Sequence, residues 1–153
     1  MSEIEIVWGT GEGQTELSAF DQALHSGGIH NYNLVTLSSV IPKDADLQIV
    51  GTHQQEWDVG ELVAVILAEN GSLAQGETIV AGLGWAEAEE GGIFFEGSGE
   101  NRKNVEKRIT RGIETAKSTR DSWNWDETIQ TKVVEHTVET AGAVIVSAVH
   151  RPV

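Results

Sequence analysis

The sequence predicts a layered α/β (α+β) fold in a single domain. Apolar residues recur at helical spacing in only two stretches, about 15–26 and 101–120, while short alternating or continuously apolar runs fill most of the remainder. No linker, internal repeat or low-complexity segment interrupts the 153 residues, a length that suits one packed core. Few helices against many strands form layers, with at least one helix covering each sheet.

The elements follow in order. Glu3 to Trp8 alternates Glu-Ile-Glu-Ile-Val-Trp, the period-2 pattern of a strand. Gly9 to Gly13 reads as a glycine-rich tight turn, without the Gly-Lys-Ser/Thr of a phosphate cradle. Thr15 is suited to cap a helix running to about Ser26, with Leu17, Phe20 and Leu24 on one face and Gly27-Gly28 as its stop. Tyr32 to Leu37 reads as a second strand, Gln48 to Gly51 as a short third, and His53 to Gly60 as polar and irregular. Leu62 to Ala68 is continuously apolar, as a strand buried on both faces would be. Glu77 to Ala86 and Gly92 to Phe95 read as strands joined by a hairpin through Glu89-Glu90-Gly91-Gly92. A second helix spans Asn101 to about Arg120, its stripe made by Val105, Ile109, Ile113 and Ala116. Thr128 to His136 and Ala143 to Val149 close the chain as strands, with Thr140-Ala141-Gly142 between them.

Composition narrows the classes of function. The chain carries 24 acidic and 10 basic side chains, a formal net charge of −14. Such a surface repels nucleic acid and anionic lipid and attracts cations, a guanidinium among them. Adaptation to high salt explains most of this charge, since attracting a substrate needs only one or two carboxylates. The lack of cysteine excludes disulfides, thiol catalysis and cysteine metal sites. No apolar run approaches the roughly 20 residues that cross a bilayer. Met1-Ser2-Glu3-Ile4-Glu5 lacks the basic start and apolar core of a signal peptide, so a cytoplasmic protein is expected. Histidines 25, 30, 53, 136 and 150 form no ligand pair such as His-x-x-x-His, and no metal is expected. Trp8, Trp57, Trp85, Trp123 and Trp125 are expected in the core or at a subunit interface.

Chemistry concentrates in Asn33-Leu34-Val35-Thr36-Leu37-Ser38-Ser39-Val40-Ile41-Pro42. Two adjacent hydroxyls end an apolar run, and a buried hydroxyl left unpaired costs about 1–3 kcal/mol. The Ser39 hydroxyl lies on the C-terminal side of the Ser38–Ser39 bond. It is suited to attack the Ser38 carbonyl and turn the amide into an ester. β-Elimination then leaves dehydroalanine at position 39, and hydrolysis makes that a pyruvoyl group. Pro42 helps to end the strand just beyond, and distortion at a strand end weakens amide resonance. Alone, Ser-Ser is a common turn or strand-end dipeptide, so the case rests on its surroundings.

Those surroundings are specific. Gly11-Glu12-Gly13-Gln14-Thr15-Glu16-Leu17-Ser18-Ala19-Phe20-Asp21 precedes Asn33-Leu34, then Leu37-Ser38-Ser39-Val40-Ile41-Pro42, and far downstream Val134-Glu135-His136-Thr137-Val138-Glu139. This order and spacing resemble the pyruvoyl-dependent arginine decarboxylases over nearly the whole chain. The resemblance implies an α-β-β-α sandwich, two sheets with helices outside. It also implies a domain of residues 1–153 that self-cleaves into a small chain, 1–38, and a pyruvoyl-bearing chain, 39–153. The implied reaction converts L-arginine to agmatine and CO2, a step of polyamine synthesis. The pyruvoyl ketone would form an imine with the substrate amine and serve as the electron sink, in place of pyridoxal phosphate.

The resemblance also implies roles for single residues. Glu96, in Phe94-Phe95-Glu96-Gly97, is the expected general acid, held protonated if the two phenylalanine rings shield it. Asp21 is expected to grip the substrate guanidinium through two parallel hydrogen bonds, with Leu17 one turn earlier on the same wall. Asn33 is expected near the processing site, holding the oxyanion formed when Ser39 attacks, although six extended residues span about 20 Å. His30 and Tyr32 are expected to line the guanidinium pocket, making it narrower or more polar. His136 reads as structural. Family members assemble as trimers with sites between neighbours, so Ser39 and Asp21 are expected from different protomers. Two alternatives stay open: a pyruvoyl decarboxylase for another amino acid, and an unprocessed, non-catalytic binding or assembly subunit.

Overall fold

The computed structural model describes residues 3–153; Met1 and Ser2, with the N-terminal reading that rests on them, lie outside the described residues. Along the chain run β1 (Glu3–Gly13), α1 (Glu16–Gly27), β2 (Asn33–Thr36), β3 (Val40–Ile41), β4 (Asp46–Gly51), β5 (Leu62–Ser72), β6 (Thr78–Ala88), β7 (Gly91–Gly99), α2 (Arg102–Thr119), β8 (Gln130–Thr137) and β9 (Ala141–Pro152). The first sheet has the order β2-β5-β9-β1-β4 and the second β3-β7-β6-β8. β1 with β4 and β2 with β5 pair in parallel; the other ladders are antiparallel.

Strand alternation builds three apolar layers. Ile4, Ile6 and Ile66 of the first sheet meet Ile79, Leu83, Trp85 and Phe94 of the second in a core between the sheets. On the outer face of the first sheet, Val7, Val65 and Ile145 pack under Ala19, Ala23 and Leu24 of α1. On the outer face of the second, Val80, Ile93 and Val133 pack under Val105, Ile109 and Ile113 of α2. The architecture is therefore the expected α-β-β-α sandwich.

The helix ends follow their sequence signals. Thr15 Oγ1 accepts from the Ser18 amide at 3.0 Å, and Gly28 closes α1 with a left-handed φ of 81°. Asn101 caps α2 by accepting from the Asn104 amide at 3.1 Å.

Gly9 to Gly13 departs from expectation: it is the second half of β1, not a turn. The cause is packing. A Cβ at Gly9 would fall on the Ala23 carbonyl and one at Gly11 on the Ala19 carbonyl, so these glycines let α1 lie directly on the strand. β7 likewise continues past Phe95 to Gly99. There Gly97 leaves room for Ile109, which would lie 2.8 Å from a Cβ.

Candidate active site

The chain changes sheets at the two serines. The Leu37 amide donates to the Val65 carbonyl at 2.9 Å, the last backbone hydrogen bond to the first sheet before the serines. The Phe94 amide donates to the Ser39 carbonyl at 2.9 Å, and Val40 then pairs with Ile93 in the second. The Ser38–Ser39 bond thus bridges two layers that are each held firmly. Ser39 absorbs the mismatch with a φ of 67°, a region that L-residues other than glycine avoid. Such a conformation stores roughly 1–3 kcal/mol and persists only where neighbours impose it.

Glu96 comes to the same point from β7. Its Oε1 accepts from Ser39 Oγ at 2.5 Å, across 57 positions of sequence. It is exposed and shares a strand face with buried Phe94. Phe95 points the other way, onto Gly112 of α2. The two rings therefore do not enclose the carboxyl within one chain, contrary to expectation, because alternate residues of a strand face opposite sides. A cavity of about 340 Å³ opens beside Glu96, lined by Leu67, Ala68, Glu69, Gly97, Ser98 and Arg108 as well. The Arg108 guanidinium donates to the Ser98 carbonyl, which holds it on this rim. Glu69 and Arg108 carried no sequence signal, being one solvent-facing charge among many.

The other expected site residues lie elsewhere in the chain. Asp21 is exposed and Leu17 is 77% exposed, both on α1, which packs against β1, β9 and β5 of the first sheet. Asn33 begins β2, with its Nδ2 donating to the Gly60 carbonyl at 3.0 Å, so that amide is engaged away from Ser39. The His30 ring lies 4.4 Å from that of His25 at the end of α1. Tyr32 stands edge-on to His53 at 5.4 Å, and its hydroxyl accepts from the Trp57 amide at 3.3 Å. Neither His30 nor Tyr32 lines the cavity beside Glu96.

Two histidine–carboxylate pairs complete the polar interior. His53 Nδ1 meets Glu5 Oε1 at 2.5 Å, with side chains only 1% and 2% exposed. The Gln54 amide donates to both Glu5 oxygens, at 3.3 and 3.2 Å. His136 Nε2 meets Glu12 Oε2 at 2.5 Å, and the Thr140 and Glu139 amides donate to the same carboxylate. His136 thus closes the β8–β9 turn onto β1, the structural role expected. The tryptophans pack: Trp85 is buried in the central core, and Trp123 stacks on Trp125 with ring centroids 5.3 Å apart. No cluster of three metal-ligating side chains forms, and no helix is long and apolar enough to cross a membrane, among the described residues.

Comparison with known proteins points one way. The family model for pyruvoyl-dependent arginine decarboxylase (PvlArgDC) matches residues 3–152. A protein of Halobacterium salinarum named pyruvoyl-dependent arginine decarboxylase is 35% identical over 151 residues, covering 97% of this chain and 94% of its own length. A protein of the same name from Thermococcus sibiricus is 37% identical over 141 residues, with 90% and 87% covered. Another, from Methanocaldococcus jannaschii, is 33% identical over 150 residues, with 95% and 87% covered.

Proposed function

The chain belongs to the pyruvoyl-dependent arginine decarboxylase family, and on that premise we propose that it cleaves itself between Ser38 and Ser39, carries a pyruvoyl group made from Ser39, and converts L-arginine to agmatine and CO2, a step of polyamine synthesis. One observation carries the reading: the hydroxyl of a conformationally strained serine is bonded at 2.5 Å to an exposed carboxylate.

Glu96 accepts the Oγ proton as that oxygen closes on the Ser38 carbonyl. The proton passes to the Ser39 nitrogen as the C–N bond breaks, leaving an ester. The ester still joins Ser38 to Ser39 through Oγ, but the longer link releases the Ser39 backbone from its left-handed conformation, which favours the shift. Ser39 suits a pyruvoyl group because it lies where two cut ends can separate and a cavity adjoins. That group supplies the electron sink for decarboxylation. Glu96, freed from the serine hydroxyl, takes up a proton from solvent and is then placed to pass it to the substrate carbon after CO2 leaves.

The guanidinium end calls for a second copy of the chain. Leu17, Asp21 and His25 follow one another at four-residue spacing along α1, and the His30 ring packs at a tilt against that of His25. In this reading a neighbour's Asp21 pairs with the guanidinium, while Leu17, His30 and Tyr32 shape that wall. Val35, Leu37 and Val40 are 39%, 41% and 47% exposed around Ser39; a neighbouring protomer in a trimer would cover them. Asn33 fixes the start of the strand that leads into the serines, and reaches an oxyanion only from a neighbouring copy.

The test is the mass of the purified protein under denaturing conditions, followed by CO2 release from arginine and other amino acids. Two chains divided at Ser38/Ser39, the larger blocked to Edman chemistry, together with release from arginine, support the proposal. Release from another amino acid alone reassigns the substrate. An intact chain with no hydrazine-reactive carbonyl sinks the enzymatic reading in favour of a binding subunit.

A further inference from the structure

The crossing that carries Ser39 also roofs a pocket of about 300 Å³, lined by Leu37 and Val40 from the crossing, by Ala64, His150 and Arg151 from the first sheet, and by Glu3, its one acidic side chain. Leu37 and Val40 are the residues on either side of Ser38-Ser39. Phe94 links the serine to this pocket: its amide donates to the Ser39 carbonyl, and its ring centroid lies 6.1 Å from that of His150.

The protonation of His150 follows from its partners. Nδ1 lies 3.3 Å from the Ala148 carbonyl, which accepts only, so Nδ1 carries the proton and Nε2 keeps its lone pair. Nε2 is buried and has no hydrogen-bond partner. Burial pushes the His150 pKa below its ordinary value; the Ala148 contact opposes this and the Arg151 charge adds to it, leaving the ring neutral near pH 7. Arg151 makes no ion pair among the described residues. A neutral base and a free cation in one pocket beside the crossing are unused by the steps described above, and a buried unpaired nitrogen calls for a reason.

We propose that His150 completes maturation by taking the Cα proton of Ser39 from the ester, while Arg151 receives the carboxylate that leaves on Ser38. This rests on the self-cleavage reading. The Cα–H bond breaks and its electron pair forms the Cα–Cβ double bond of dehydroalanine. The Cβ–O bond breaks and its pair departs with the Ser38 carboxylate, while the proton stays on Nε2. Water then releases ammonia from the enamine and leaves the ketone. Glu96 is poorly suited to this step: it sits against Oγ, the leaving oxygen, and one carboxylate disfavours another forming beside it.

The experiment follows maturation of freshly made full-length protein in wild type, His150→Ala, His150→Gln and Arg151→Ala, with and without hydroxylamine, which splits esters and not amides. His150→Ala is expected to slow pyruvoyl formation by about tenfold or more and to accumulate an intact-length species. Hydroxylamine should split that species into residues 1–38 and a 39–153 chain whose Ser39 amine is open to Edman chemistry. Arg151→Ala is expected to do the same to a smaller degree. His150→Gln keeps polar bulk without the base and carries the test where the alanine variant misfolds. Maturation of the His150 variants at the wild-type rate overturns the proposal. So does slowing without a hydroxylamine-labile bond, which would mark His150 as mere packing against Phe94. A wild-type chain that stays intact and resists hydroxylamine would instead overturn self-cleavage itself, and this step with it.

Discussion

Glu96 and Glu5 accept hydrogen bonds of the same length, 2.5 Å, in opposite surroundings. Glu5 is buried under the 52–60 segment, with His53 on one oxygen and the Gln54 amide on both. Tyr32 and Trp57 close around the histidine ring. Both its oxygens are hydrogen-bonded and it is buried away from any substrate, so the pair fastens a loop to the first sheet. Glu96 lies at an open edge, bonded to a strained serine and bordering a cavity. Contact length is the same in the two places; access and strain separate a fastener from the pair proposed to react.

That contrast is broken or sharpened by substitution. The largest effect is expected from Ser39→Ala, which removes the nucleophile and the pyruvoyl precursor together. Cleavage and CO2 release should fall to background while the unfolding midpoint barely moves, and a variant that still decarboxylates arginine breaks the mechanism. Glu96→Gln comes next: turnover should fall by about 10²-fold or more. Because Ser39 Oγ loses its carboxylate, the half-time of chain division should lengthen too, read by denaturing electrophoresis. Normal turnover removes Glu96 from the site.

On the fastener side, Glu5→Gln or His53→Ala should cost about 3–5 kcal/mol in urea unfolding, as expected when one partner of a buried pair is removed. Division at Ser39 should persist in whatever protein remains folded. If division stops while stability holds, the two regions are not separate. The smallest effect belongs to Glu12. Burial raises its pKa, but the His136 hydrogen bond and the Thr140 and Glu139 amides outweigh it, holding the carboxyl below its ordinary 4.5. A carboxylate with a lowered pKa stabilises the fold above its unfolded value and loses that contribution as pH falls through the folded one. Stability should therefore drop below about pH 4.5, and Glu12→Gln should flatten that limb by no more than about 1 kcal/mol, since the pair is partly solvated. Urea midpoints measured across the acid range would show it.

Much of this was legible in the chain itself. Thr15 and Gly27-Gly28 bracket α1, and the stripe Val105, Ile109, Ile113 marks the buried face of α2, because caps and periodicity act over a single turn. Ser39 was singled out through its neighbours in sequence. Phe94 and Phe95 misled because adjacency in a strand means opposite faces. Tyr32 gave no sign that it packs on the outer face of the first sheet, since its neighbours His53 and Trp57 are some twenty residues or more away in the chain.

By itself the sequence determined the helices, the apolar centres of the long strands and the layered class, and pointed to the serine on which the proposed chemistry turns, since each is read from residues within a few positions of one another. Tertiary structure alone decided that Gly9 to Gly13 is strand, that Val40-Ile41 pairs with β7, that Glu96 reaches Ser39, and that His150 and Arg151 sit beneath the crossing. Those outcomes depend on contacts between segments far apart in the chain, where the closeness of two helices, sheets or charges leaves no periodic trace in either partner.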